Sequence, residues 1–121
     1  MANILIIDDS RTSRKVLKNL LEAEGHKIIA EAVNGEDGVN KFIEYTPDIV
    51  TMDITMPVMD GIEALKKIRE IDENAKVVMV TAAGQANKMR EAIEYGASEF
   101  LAKPFEPEQI AEIIYRVAAT L

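Results

Sequence analysis

Short apolar runs recur along the chain at intervals of roughly 20–30 residues, which is the size of a repeating strand–helix unit. The runs cover residues 4–7, 27–30, 48–52, 77–80 and 99–102. The first and the fourth contain apolar residues alone, which is typical of strands buried on both faces of a parallel sheet. The pattern therefore predicts a five-stranded parallel sheet.

The segments that follow these runs have helical periodicity. It is clearest in the last one, where a single apolar stripe contains Ile110, Ile113, Ile114, Val117, Ala118 and Leu121. Ser10 and Asn34 can cap the first two helices, and Pro107 fits the first position of the fifth. Gly25 and Gly96 follow the expected ends of the first and fourth helices. Five strands alternating with five helices predict a single doubly wound α/β domain over residues 1–121, with no attached output domain.

Charge and composition narrow the classes of function. The 121 residues carry a formal net charge of -7, which disfavours binding to nucleic acid or to an anionic membrane. The chain has no cysteine, which excludes disulfides and thiolate chemistry, and the one histidine, His26, is expected at the surface. No apolar stretch reaches the roughly 20 residues of a membrane helix, and no signal peptide is recognisable, so we expect a cytoplasmic protein.

Polar residues at the ends of four predicted strands form a chemically coherent set. They are Asp8, Asp9, Asp53, Thr81 and Lys103. In doubly wound sheets, ligands bind outside the carboxyl ends of the strands, where the strand order reverses. Three carboxylates that meet there repel one another and favour a bound cation, and oxygen ligands suit a hard divalent ion such as Mg²⁺. With a lysine and a hydroxyl beside them, they predict a pocket that accepts a phosphoryl group onto a carboxylate.

Each of these residues has an ordinary explanation when it is taken alone. Asp8 and Asp9 could belong to a helix-capping turn, Lys103 to a loop, and Thr81 could satisfy a backbone group. Asp60 and Gly61 fit a turn or a helix start better than they fit chemistry. Their coincidence at the strand ends of one α/β pattern favours a site.

These motifs resemble the receiver domain of two-component response regulators. The resemblance is carried by Asp8-Asp9, by the run from Asp53 to Gly61, by Thr81-Ala82-Ala83 and by Lys103-Pro104-Phe105. It covers essentially the whole chain and is strongest to the stand-alone, CheY-type chemotaxis regulators. It implies a flavodoxin-like fold with strand order 2-1-3-4-5.

The resemblance also implies a role for each site residue. Asp53 would accept the phosphoryl group from a histidine kinase. Asp9 and Asp53 would ligate Mg²⁺ directly, Asp8 would assist through a water molecule, and the backbone carbonyl of Thr55 would be the third protein ligand. Lys103 would pair with the phosphoryl oxygens, and the Lys103–Pro104 peptide bond would be cis.

The same resemblance implies a switch. Thr81 would hydrogen-bond the phosphoryl group and move towards it, and Phe100 would turn inward without the hydroxyl that a tyrosine would bring. Thr55 and Ala83 occupy positions that influence the lifetime of the phosphorylated state. The surface of the fourth helix, fifth strand and fifth helix would then bind a partner such as a flagellar-motor switch protein. We expect a monomer.

Several alternatives stay open at this point. The basic residues Arg11, Arg14, Lys15 and Lys18 on the first helix fit a solvated face, and a phosphatase contact is the functional alternative. A phosphorelay intermediate or a phosphate sink would use the same site residues. A Mg²⁺-dependent phosphatase would need a second acid where Thr55 stands, and a flavin-binding module would need a phosphate cradle where Asp8 and Asp9 would repel the phosphate.

Overall fold

The computed structural model describes residues 1–82 and 84–121 as strands and helices in strict alternation. The strands are β1 (Asn3–Ile7), β2 (Lys27–Ala32), β3 (Ile49–Asp53), β4 (Val77–Thr81) and β5 (Glu99–Ala102). The helices are α1 (Arg11–Ala23), α2 (Gly35–Tyr45), α3 (Gly61–Ile71), α4 (Ala86–Glu94) and α5 (Pro107–Ala118).

All neighbouring strands pair in parallel, in the order β2-β1-β3-β4-β5. The fold class and the strand order implied by the sequence are therefore confirmed. The order reverses between β1 and β3, which are hydrogen-bonded neighbours although β2 lies between them in the sequence. This reversal places the carboxyl ends of β1 and β3 side by side.

Apolar side chains cover both faces of the sheet, as the continuous apolar runs predict. On one face, Leu5, Val50 and Met52 of the strands pack with buried residues of α2, α3 and α4. On the other face, Ile4 and Ile6 pack with buried residues of α1 and α5. The central strands are consequently fixed from both sides, and so are the positions of the residues at their ends.

Side chains cap the first three helices where the chain enters them. Ser10 Oγ accepts a hydrogen bond from the Ser13 N–H, and Asn34 Oδ1 accepts one from the Asp37 N–H. Asp60 Oδ1 likewise accepts from the Glu63 N–H, which gives Asp60 the helix-entry role expected of it. These bonds satisfy N–H groups that have no partner within the first helical turn.

Two expectations from the sequence are wrong. The apolar stripe of the last helix is shorter than predicted, because α5 ends at Ala118 and Leu121 lies beyond it, exposed. His26 is half-buried instead of fully at the surface, since its Nδ1 accepts a 3.1 Å hydrogen bond from the Ala2 N–H. Partial burial lowers the pKa of His26, with the nearby N-terminal charge acting in the same direction.

Among residues 1–82 and 84–121, no helix combines the length and the apolar character needed to cross a membrane.

Candidate functional site

Four parallel strands deliver the predicted site residues to one edge of the sheet. Asp8 follows β1 directly, Asp53 is the last residue of β3, and Thr81 is the last residue of β4. Lys103 follows β5 and is tied to β4, because its N–H donates a 2.7 Å hydrogen bond to the Thr81 carbonyl. The Lys103–Pro104 peptide bond is cis, as the resemblance implies.

Three carboxylates converge at this edge. One oxygen each of Asp8, Asp9 and Asp53 lies within 4.8 Å of the other two. Asp8 is buried, Asp53 is half-buried and Asp9 is exposed, so the cluster runs from the sheet interior to solvent. This geometry brings together the three acids that the sequence predicts as metal ligands.

The cluster has one nearby cation among the described ion pairs. Lys103 Nζ lies 3.3 Å from Asp8 Oδ2 and 3.6 Å from Asp53 Oδ1. A single ammonium group cannot neutralise three carboxylates, so the site keeps an excess of negative charge. That excess is what a divalent cation would offset.

The electrostatics of Asp53 reflect this excess. Burial raises the pKa of its carboxyl above the ordinary value of 3.8, and the charges of Asp8 and Asp9 raise that pKa further. Lys103 and a backbone hydrogen bond from Ile54 act in the opposite direction without cancelling the rise. The oxygen-only donor set and the unbalanced charge both fit a hard divalent ion.

Arg14 supports the site, and the sequence interpretation of it is wrong. Arg14 does not belong to a solvated face: its side chain is 13% exposed. Its Nη1 donates to the Asp8 carbonyl at 2.8 Å, and its Nε pairs with Glu31 Oε1 at 3.1 Å. Arg14 thus fixes the backbone of the acidic loop. Its basic neighbours Arg11 and Lys15 are exposed, as expected.

Gly61 allows the chain to pass close behind Asp53. Its N–H donates a 2.6 Å hydrogen bond to the Ile54 carbonyl. A Cβ at this position would collide with the backbone carbonyl of Asp53, so only glycine fits here. The glycine expected to serve backbone geometry therefore positions the proposed phosphoacceptor.

The remaining predicted residues differ in their surroundings. Thr81 is buried at the end of β4, and Phe100 on β5 is half-buried against the apolar core that contains Met79. Ala83 lies outside the described residues. Thr55 is exposed, and its hydroxyl accepts a 2.8 Å hydrogen bond from Gln85 Nε2. Gln85 is a second residue that the sequence interpretation missed.

Comparison with known proteins agrees with this fold. The family model for the response regulator receiver domain matches residues 4–115. The chain is 45% identical to the chemotaxis protein CheY of Thermotoga maritima, over 95% of this chain and 96% of that protein. It is 47% identical to CheY of Bacillus subtilis, over 92% of each chain. A crystal structure of a CheX–CheY–BeF3–Mg²⁺ complex from Borrelia burgdorferi superposes with a TM-score of 0.91, at 39% identity, over 96% of this chain and 88% of that one.

These matches define the class of the protein. The chain belongs to the response regulator receiver domain family, whose members are signalling switches in two-component systems. Within that family its similarity to several CheY proteins supports a role in chemotaxis.

Proposed function

We propose that this protein is a phosphorylation-driven switch in which Asp53 accepts a phosphoryl group from a histidine kinase. The observation that carries the proposal is the cluster of three carboxylates at the ends of β1 and β3, with Lys103 as its neighbouring cation. Such a pocket combines a carboxylate nucleophile, an anion-pairing lysine and ligands for a divalent ion.

Asp53 is the best nucleophile of the three acids. Both oxygens of Asp8 are engaged, because Oδ1 accepts from the Ser10 N–H at 2.8 Å and Oδ2 faces Lys103 at 3.3 Å. Asp9 is exposed and lies at the rim of the cluster. Asp53 is intermediate in exposure between Asp8 and Asp9, and its pairing with Lys103 at 3.6 Å is longer than that of Asp8, so Lys103 is close enough to pair with an incoming phosphoryl oxygen.

The transfer step exchanges one bond to phosphorus for another. A carboxylate oxygen of Asp53 forms the new O–P bond as the P–N bond to the kinase phosphohistidine breaks, and the leaving imidazole takes up a proton. Asp9, Asp53 and the Thr55 carbonyl would hold Mg²⁺, with Asp8 assisting through a water molecule. When bound, Mg²⁺ would neutralise charge on the phosphoryl oxygens and lower the cost of bringing an anion to this acidic site.

The phosphorylated state would then act on a distant surface. The Thr81 hydroxyl would move towards the phosphoryl group, and Phe100 would turn inward in the space that this movement opens. Together they would reshape the face formed by α4, β5 and α5, which would bind a flagellar-motor switch protein. In the Borrelia complex a CheY protein binds the CheX protein. This chain would likewise bind a further partner, such as a phosphatase.

The intact mass of the protein tests the phosphoacceptor. We expect one labile phosphoryl group after incubation with Mg²⁺ and acetyl phosphate, and none with chelator or in Asp53→Asn. Asp48→Asn is the matched control, because it makes the same change at the residue that directly precedes β3, away from the site. Phosphorylation of Asp53→Asn at the wild-type level would refute the assignment of Asp53.

A phosphorelay intermediate is the second candidate. The chain is 37% identical to sporulation initiation phosphotransferase F of Bacillus subtilis, over 92% of this chain and 89% of that protein. Phosphorylated protein incubated with a histidine phosphotransferase would distinguish the two functions. Fast loss of the phosphoryl group to the transferase would favour a relay, whereas retention with binding to a motor switch protein would favour chemotaxis.

A further inference from the structure

A glutamine side chain connects the two loops that border Asp53. Gln85 directly precedes α4, and its Nε2 donates a 2.8 Å hydrogen bond to the Thr55 hydroxyl in the loop between β3 and α3. Its Oε1 accepts a 2.6 Å hydrogen bond from the Ala82 N–H in the loop between β4 and α4. We call this pair of hydrogen bonds the Gln85 bridge.

Gln85 does not cap the helix that follows it, as the residues before other helices do. Ser10, Asn34 and Asp60 each cap the helix that follows them with a side-chain oxygen. Gln85 makes no such bond to α4, although it occupies the equivalent position. Its amide group instead hydrogen-bonds Thr55 and Ala82, so it fixes the position of Ala82 relative to Thr55 more than it stabilises α4.

We propose that the Gln85 bridge is a latch that holds Ala82 in its resting position and thereby slows phosphoryl transfer to Asp53. This inference rests on the proposed function of Asp53 as phosphoacceptor. Gln85 is a positioning residue, because its contacts are to Thr55 and Ala82 and not to the reacting carboxylate.

The peptide bond between Thr81 and Ala82 connects the latch to phosphoryl transfer. Thr81 and Ala82 are adjacent, so a Thr81 hydroxyl that moves towards a phosphoryl group takes the Ala82 N–H with it. In the resting state that N–H is occupied by Gln85 Oε1. The movement therefore pulls on the bridge, and opening of the bridge frees the Ala82 N–H.

The expected size of the effect follows from the two hydrogen bonds. Loss of one solvent-accessible hydrogen bond changes an equilibrium about twofold, and loss of both changes it about fivefold. Gln85→Ala removes both bonds, whereas Thr55→Val removes one and keeps the Thr55 backbone in place. The phosphorylation rate constant should rise about fivefold in the first variant and about twofold in the second.

The experiment measures phosphoryl uptake from acetyl phosphate at saturating Mg²⁺, by intact mass against time. Besides the wild type and the two single variants, it includes the double variant, which should be no faster than Gln85→Ala because the bridge is already absent. Gln109→Ala is the matched control, since it removes a 2.8 Å side-chain hydrogen bond to the Glu106 N–H at the start of α5.

The outcomes separate this inference from the proposed function. A wild-type protein that takes up no phosphoryl group would overturn both. Normal uptake by the wild type with an unchanged or slower Gln85→Ala variant would overturn the latch alone. Equal acceleration by Gln109→Ala, or additive effects in the double variant, would also overturn it, because either result indicates general loosening instead of a shared bridge.

Discussion

Replacing Asp53 by asparagine should stabilise the metal-free protein while it abolishes phosphorylation. The carboxylate oxygens lie within 4.8 Å of one another, and two unit charges at that upper limit repel by about 3.5 kcal/mol at an effective dielectric constant of about 20. Asp53 has such a repulsion with each of Asp8 and Asp9. Its attraction to Lys103 at 3.6 Å is worth about 4.6 kcal/mol on the same scale. The repulsions therefore exceed the attraction, and burial of the charge adds to the cost.

Exposure of Asp9 to solvent reduces the net repulsion, so we expect Asp53→Asn to gain about 1–2 kcal/mol. For a domain of this size, that gain corresponds to a rise in melting temperature of about 4–8 °C. The assay is thermal unfolding in chelator at neutral pH, with Asp48→Asn as the control for the substitution itself. A variant that melts at or below the wild-type temperature would refute the reasoning.

Two further arms test the cause of the gain. The folded state binds the Asp53 proton more tightly than the unfolded chain, since burial and the neighbouring acids raise the pKa of Asp53. The contribution of Asp53 to the stability of the wild type is therefore lost as the pH rises from 3.8 through that raised pKa. The advantage of the variant should vanish below pH 3.8. Mg²⁺ at tenfold its dissociation constant should stabilise the wild type by about 1.4 kcal/mol and the variant by less.

Three other substitutions probe the scaffold. Gly61→Ala should lower the free energy of unfolding by about 1–3 kcal/mol and slow phosphorylation, because the added Cβ collides with the Asp53 carbonyl. A wild-type unfolding free energy in denaturant melts, together with a wild-type phosphorylation rate by mass spectrometry, would contradict this. Leu65→Ala should cost about 3 kcal/mol through a core cavity, yet leave phosphorylation of the folded protein unchanged. Val58→Asn should stabilise the protein by about 1 kcal/mol in the same melts, since Val58 has a left-handed φ of 69° that asparagine tolerates better. A loss of stability would argue against backbone strain at Val58.

The strands and the edge of the sheet that carries the acidic cluster were predictable from periodicity, whereas the strand order was implied by the resemblance to receiver domains. The five strands lie within two residues of the apolar runs, since strands buried on both faces leave a continuous apolar pattern. Once the sheet is parallel, residues at the carboxyl ends of strands share one edge. Asp8, Asp53 and Lys103 could therefore be placed together although they are far apart in the sequence.

Arg14 and Gln85 could not be predicted in this way, because their roles depend on where loops travel. Helical spacing puts Arg14 beside other basic residues, and it does not show that its guanidinium reaches the Asp8 carbonyl. Gln85 contacts Thr55 across 30 positions of sequence, through two irregular loops that no periodicity describes. Long side chains anchored to backbone groups are visible only after the backbone has been placed.

The distribution of anchoring also indicates which part of the protein can respond to a phosphoryl group. Asp8 and Asp53 are held by the two strands at the strand-order reversal, both of which are covered on each face. Helix α3 buries five residues, whereas in the described chain α4 buries Ala92 alone and has no side-chain cap. A segment with few buried contacts opens at lower free energy than a well-packed one. Charge added at Asp53 should consequently displace α4 and the loop before it, and leave the strands that hold the acids in place.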